Sequence, residues 1–166
     1  MLNAMRRSKQ RRREAGRIYA ALVARAREPV FFATYAVPDT LDGRFDLLTL
    51  HAWLVLERLS RDAQLSQALV DTIFTGFDEA LREMGAGDIG MARRMKKMAD
   101  AFYGRLAAYG AASGPEAVAA ALARNLYRGV SRPGIDAVAN YVVKARAHLA
   151  TWESGTPDFG PLPGEE

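Results

Sequence analysis

Between Arg44 and Ser60 apolar side chains occupy nearly every side of a helical wheel: Phe45, Leu47, Leu48, Leu50, Trp53, Leu54, Val55, Leu56 and Leu59. A helix with so little polar surface needs other helices around it, so it belongs at the centre of a bundle. The rest of the chain supplies those neighbours. A first helix over Ser8–Arg27 puts Ala15, Ile18, Tyr19, Leu22 and Ala26 on one stripe, and Pro29 stops it. A third, over Ala63–Met84, turns Leu65, Leu69, Ile73, Phe77, Ala80 and Leu81 inward. A fourth, over Ile89–Ala111, carries Met91, Met95, Met98, Phe102, Leu106 and Tyr109, with Asp88 as its N-cap. Ser113-Gly114-Pro115-Glu116 reads as a capping box for a fifth helix ending near Arg128, with Gly129 as C-terminal cap. Pro133 begins a sixth, striped by Ile135, Val138, Val142, Ala145 and Leu149. No segment alternates as a strand would. The expectation is an all-α fold, a single compact bundle of five to six helices without a second domain or repeat.

Composition narrows the chemistry. An apolar fraction of 49% over 166 residues is enough for a true core. The absence of cysteine excludes disulfides, thiolate nucleophiles and cysteine-ligated metals. No run of 18 apolar residues occurs, so no membrane-crossing helix is expected. Residues 1–17 hold seven basic side chains (Arg6, Arg7, Lys9, Arg11, Arg12, Arg13, Arg17) against Glu14, whereas the remaining 149 residues carry 16 basic and 18 acidic groups. The basic excess is therefore an N-terminal arm running into the first helix, over a helical domain of residues 14–152. Such an arm can meet anionic lipid through residues 6–17, ribosomal RNA or an acidic protein, or be a solvated helix start. The stretch Glu14–Tyr19 is not apolar enough for a secretory signal. Residues 153–166 are rich in glycine and proline and are expected to form a loose tail.

Few residues suggest a reaction centre. Gly85-Ala86-Gly87-Asp88-Ile89-Gly90 has the spacing of a dinucleotide fingerprint, but a helix precedes it instead of a strand. Gly85 reads better as a left-handed helix end. Asp71, Asp78, Glu79 and Glu83 share one helix, yet neither His51 nor His148 completes the Glu-x-x-His pairs of a di-metal bundle. His51, in the most apolar helix, reads as a neutral ring satisfied by hydrogen bonds. A hydrolase site around His51 and Asp39 can be drawn, without a local sign of an activated nucleophile. No catalytic residue, metal or cofactor is assigned.

Binding chemistry is better represented. Phe31, Phe32 and Tyr35 cluster in a loop from Glu28 to Gly43 and are expected to tuck mostly against the core. Asp39, Asp42, Arg44 and Asp46 crowd the start of the central helix, either as a rigid loop or as a hook for a partner; Arg44 can pair with Asp39 or Glu83. Met91, Met95 and Met98 share a face with Phe102, flanked by Arg94 and Arg105. That face can serve as core or as an adaptable groove. Arg93, Lys96 and Lys97 point away from it as a basic surface.

Several blocks of the chain resemble the ubiquinol–cytochrome c chaperone family in its bacterial, alphaproteobacterial form. They are Ala26-Arg27 with Pro29 and the aromatics, Val37-Pro38-Asp39-Thr40, and Gly43-Arg44-Phe45-Asp46 leading to Leu50-His51. Leu81-Arg82-Glu83-Met84-Gly85 through Asp88, and Lys97-Met98 through Ala101-Phe102-Tyr103-Gly104-Arg105, complete the set over residues 14–150. The resemblance implies a non-enzymatic assembly factor of the cytochrome bc1 complex that binds newly made cytochrome b. It also implies contact with the ribosome and a small partner subunit; the chain is expected to be cytoplasmic, with the basic arm or the client able to bring it to the cytoplasmic face of the inner membrane. The alternatives are a ribosome- or RNA-binding helical module and the hydrolase. Carried onto this chain, the client hold falls on the Met91–Phe102 face or on Phe31 to Tyr35. Arg82, Glu83 and Asp88 join the loop charges as partner-binding candidates. The family commonly places glycine before the Val-Pro-Asp-Thr run, where this chain has Ala36; its mitochondrial members carry an N-terminal targeting or anchoring region, not expected here.

Overall fold

The structure, a computed structural model, describes residues 1–165. Seven helices form among them: α1 (Leu2–Ala26), α2 (Pro29–Ala33), α3 (Leu41–Arg58), α4 (Ala63–Glu83), α5 (Met91–Gly110), α6 (Pro115–Asn125) and α7 (Ile135–Thr151). Six are the expected long helices, and α2 is a five-residue addition inside the predicted loop. Helix α3 lies at the centre, packed against α1, α5 and α7, while α1 runs along α4 and α6 along α7. Every residue of α3 from Phe45 to Val55 is buried.

Helix α1 begins at Leu2, ahead of the expected Ser8, because Met, Leu, Ala, Arg, Lys and Gln favour helix and no breaker interrupts them. The basic arm is therefore helix, continuous with a buried stripe of Ala15, Ile18, Leu22 and Ala26. At α5 the N-cap is Gly90, in the left-handed region at φ 95°, and not Asp88. Asp88 instead accepts from Arg82 Nη1 at 3.1 Å. Gly114 likewise replaces Ser113 at the head of α6, with Pro115 following it. At both positions an extra turn residue with backbone freedom decides the geometry, and the polar side chain one or two places earlier is left outside.

The tail departs most from expectation. Pro157, Phe159 and Pro163 are buried, and Arg25 Nη2 donates to the Gly160 and Pro161 carbonyls, the latter at 3.0 Å. A Cβ on Gly160 would collide with the His148 ring. Glycine and proline lower order only where no apolar anchor accompanies them; here Phe159 packs edge-on against His51 with ring centroids 5.4 Å apart.

Candidate protein-binding groove

The head of α3 is fixed by the Val37–Gly43 segment. Thr40 caps the helix by accepting from Gly43 N–H at 3.1 Å. A Cβ on Gly43 would overlap the Pro38 carbonyl, so the close approach of that loop requires glycine there. Arg44 donates to Asp39 across the same turn at 2.8 Å. This clamp leaves Leu41 partly exposed at one end of an open groove of about 270 Å³. Val23 of α1, Phe45 and Leu48 of α3, Phe77 and Met84 of α4, and Met98 of α5 give it an apolar lining, rimmed by Arg27, Arg44 and Glu83. Tyr19 lies over Gly76, where a Cβ would strike its hydroxyl, and this brings α1 and α4 together at the groove wall. Met84 is 63% exposed, and Ile89, on the adjoining loop, is fully exposed.

The structure distributes the sequence candidates over three settings. Phe31 is core, edge-on to His51 and Tyr141 with both centroids 5.5 Å away. Tyr35 is buried beside Gly134 and Gly164, and Phe32 is half-buried. Met91 and Phe102 are also buried, so the expected Met91–Phe102 client face is not a continuous surface. The stripe faces α3 and α4, with Phe102 against Phe74 and Phe77; only Met98 of that stripe lines the groove, and Met95 is half-buried. Asp39, Arg44, Glu83 and Arg94 are exposed, while Arg82 is engaged with Asp78 at 2.8 Å and with Asp88. The groove thus unites Arg44, Glu83 and Met98 with Leu41, which sequence reasoning missed. A leucine directly after a Thr N-cap, ahead of the apolar stretch, was the available signal.

Two buried polar clusters, neither of which lines the groove, lock α3. Asp46, fully buried, meets Arg105 Nη2 at 2.9 Å and Arg128 Nε at 2.9 Å. Arg128 also reaches Asp42 at 3.1 Å. Burial raises the Asp46 carboxyl above the usual aspartate range, against the Arg128 hydrogen bond and the charges of Arg105 and Arg128. Two guanidiniums at contact distance keep it an anion at neutral pH. Asp42 and Arg105, expected to meet a partner, are therefore occupied within the fold. Asp46 and Arg128 were overlooked as a pair, although a carboxylate inside the buried stretch Phe45–Val55 demands a cation.

The second cluster surrounds His51. Its Nδ1 lies 2.8 Å from the Leu47 carbonyl and its Nε2 2.8 Å from the Tyr141 hydroxyl. A carbonyl only accepts, so Nδ1 carries the proton and the Tyr141 hydroxyl donates to Nε2. Arg25 Nε in turn donates to Tyr141 Oη at 2.9 Å. Burial, with Arg25 nearby, lowers the imidazole pKa to about 4. The reading of His51 as a satisfied neutral ring is what the geometry gives. The drawn hydrolase site is not assembled: both His51 nitrogens are engaged elsewhere, and Asp39 is exposed and paired to Arg44.

A helical scaffold whose buried Asp46 and His51 are engaged within the fold, and which carries an open apolar groove, has the make-up of a module that holds another polypeptide. The comparisons with known proteins agree with this class. The ubiquinol–cytochrome C chaperone family model matches residues 33–156, most of the chain, and the protein belongs to that family, one of chaperones and not of enzymes. It is 28% identical over 116 residues to the ubiquinol-cytochrome-c reductase complex assembly factor 1 of Xenopus laevis, covering 66% of this chain. The chain spans 58% of that relative's length. The crystal structure of the Cbp3 homolog from Brucella abortus superposes with a TM-score of 0.79 at 38% identity, covering 92% of this chain and 89% of that one.

Proposed function

We propose that this protein is a non-enzymatic assembly chaperone of the cytochrome bc1 complex, and that newly made cytochrome b is its client. Membership of the chaperone family supports the role, and the relative from Xenopus laevis is an assembly factor of the ubiquinol-cytochrome-c reductase complex. The single observation that carries the binding mode is the open groove with Leu41 and Met84 exposed at its edge. An immature membrane protein exposes apolar helices, and this groove offers them unbranched methionines that adapt to imperfect shapes. Arg27, Arg44 and Glu83 at the rim then set the orientation of the client, while the apolar floor supplies the binding energy.

The test is a photoreactive side chain placed at Met84 or Met98 in living cells, followed by identification of the attached protein. Cytochrome b should be the dominant product. Leu41→Asp with Met84→Asp should weaken client capture by about 2–4 kcal/mol, since each aspartate replaces a side chain that would bury an apolar surface. Assembled bc1 complex should fall while cytochrome b message stays level. Crosslinks from these positions only to unrelated proteins, with unchanged complex in the double variant, would refute the assignment.

A further inference from the structure

We infer that the outward face of the first turns of α1 docks on an anionic membrane surface. Leu2, Met5, Lys9 and Arg13 follow one another at helical steps of three or four, flanked by Arg6 and Arg17. This face lies opposite the buried stripe of Ile18 and Leu22. All six side chains are exposed, with Leu2 at 77% and Met5 at 70%. Among the described residues none of its cations has a carboxylate within ion-pair distance. Charge complementarity names the partner, because the seven cations of residues 1–17 are set on a body with a slight acidic excess.

Apolar groups distinguish lipid from nucleic acid. The first aromatic residue of the chain is Tyr19, which is turned onto Gly76, so no ring is offered for stacking on bases. An exposed leucine and methionine beside a basic stripe gain nothing from phosphate alone. They gain by entering the boundary between lipid headgroups and acyl chains, with the cations holding the headgroups. Buried apolar area and attraction to anionic headgroups add in interfacial binding, and both contributions lie on this face. Ile18 and Leu22 fix the same helix to the body, so docking would hold the whole bundle at a set angle to the bilayer. The inference is independent of what occupies the groove.

The experiment is co-sedimentation of the full chain with vesicles of phosphatidylcholine alone or mixed with phosphatidylglycerol. Binding should require phosphatidylglycerol and fall steeply with salt, a test made on the unaltered protein. Replacing the four cations (R6Q, K9Q, R13Q, R17Q) should weaken binding by about a hundredfold or more. The pair L2Q and M5Q should weaken it about tenfold with all charges kept. Far-UV circular dichroism checks that both variants remain helical. Equal binding to both vesicle types, insensitivity to salt, or tighter binding to a single-stranded RNA oligonucleotide than to anionic vesicles would overturn the assignment.

Discussion

The His51 chain and the Asp46 cluster both place polar groups inside α3, the first as neutral hydrogen bonds and the second as an ion shared between two guanidiniums. His51 ties α3 to α7 and, through Tyr141 and Arg25, to α1 and the tail. Asp46 ties it to α5 and to the turn after α6. A helix apolar all round could rotate among its neighbours at little cost in burial; two fixed polar anchors at different positions select one rotation. The neutral anchor depends on pH, and the ionic anchor depends on its partners being present.

Breaking the ionic anchor should have the largest effect. Asp46→Asn removes the charge and leaves Arg105, only 15% exposed, facing an amide. The expected loss is about 3–5 kcal/mol, the cost of an uncompensated buried charge. Urea unfolding followed by circular dichroism measures it; a loss below about 1 kcal/mol would mean water satisfies Arg105.

The neutral anchor is broken by acid instead. The folded His51 pKa of about 4 lies below the ordinary value of 6.5, so the unfolded chain takes up the proton first as pH falls. Stability from this group is complete above pH 6.5 and is lost progressively down to pH 4, about 3 kcal/mol in all. His51→Gln should flatten the stability profile between pH 5 and 6.5, above the range where ordinary carboxylates titrate. A variant as acid-sensitive as the parent in that window would show that another group carries the slope. Arg25→Met should have a smaller effect, about 2 kcal/mol, by removing the bond to Tyr141 and those to the tail carbonyls. It should also raise the His51 pKa and open residues 153–165 to limited proteolysis, which a purely local role for Arg25 would not do.

The central place of α3 and the course of α4 were legible in the sequence, the first because its apolar residues leave almost no polar face and the second because its apolar residues recur on a single stripe. The neutrality of His51 was legible as well: an imidazole in an apolar helix has few alternatives. The partners of Asp46 were not, since Arg105 and Arg128 are distant along the chain and many arginines compete for one aspartate. Helix heads failed at Asp88 and Ser113, where a neighbouring glycine with positive φ took the capping position. The groove was half legible. Met98 and Arg44 were singled out, but the division of the methionine stripe into buried Met91 and groove-lining Met98 depends on how α5 crosses α3 and α4. The burial of the tail hinges on Phe159, whose receiving surface is built from His51 and Arg25 far upstream.

Two strained residues sharpen the contrast between the anchors. Ala36 and Arg128 both adopt positive φ, 53° and 52°, which costs a residue with a Cβ about 1–2 kcal/mol. Ala36 lies between them: its neighbour Tyr35 accepts from Tyr127 at 2.8 Å, next to Arg128, and Val37 N–H returns to Phe31, which packs on His51. The Ala36 side chain is exposed and serves neither anchor. Ala36→Gly should therefore relieve strain, partly offset by the greater freedom of glycine in the unfolded chain, for a net gain of about 0.5–1 kcal/mol. In thermal unfolding this is a rise of about 2–3 °C. Arg128→Gly relieves the same strain but deprives Asp46 of a guanidinium, so its melting temperature should fall. Opposite signs at two positions with nearly equal φ would separate backbone strain from the ionic contact that holds it in place. A fall in both would mean that the turn at Ala36 is shaped by its methyl group and not merely tolerates it.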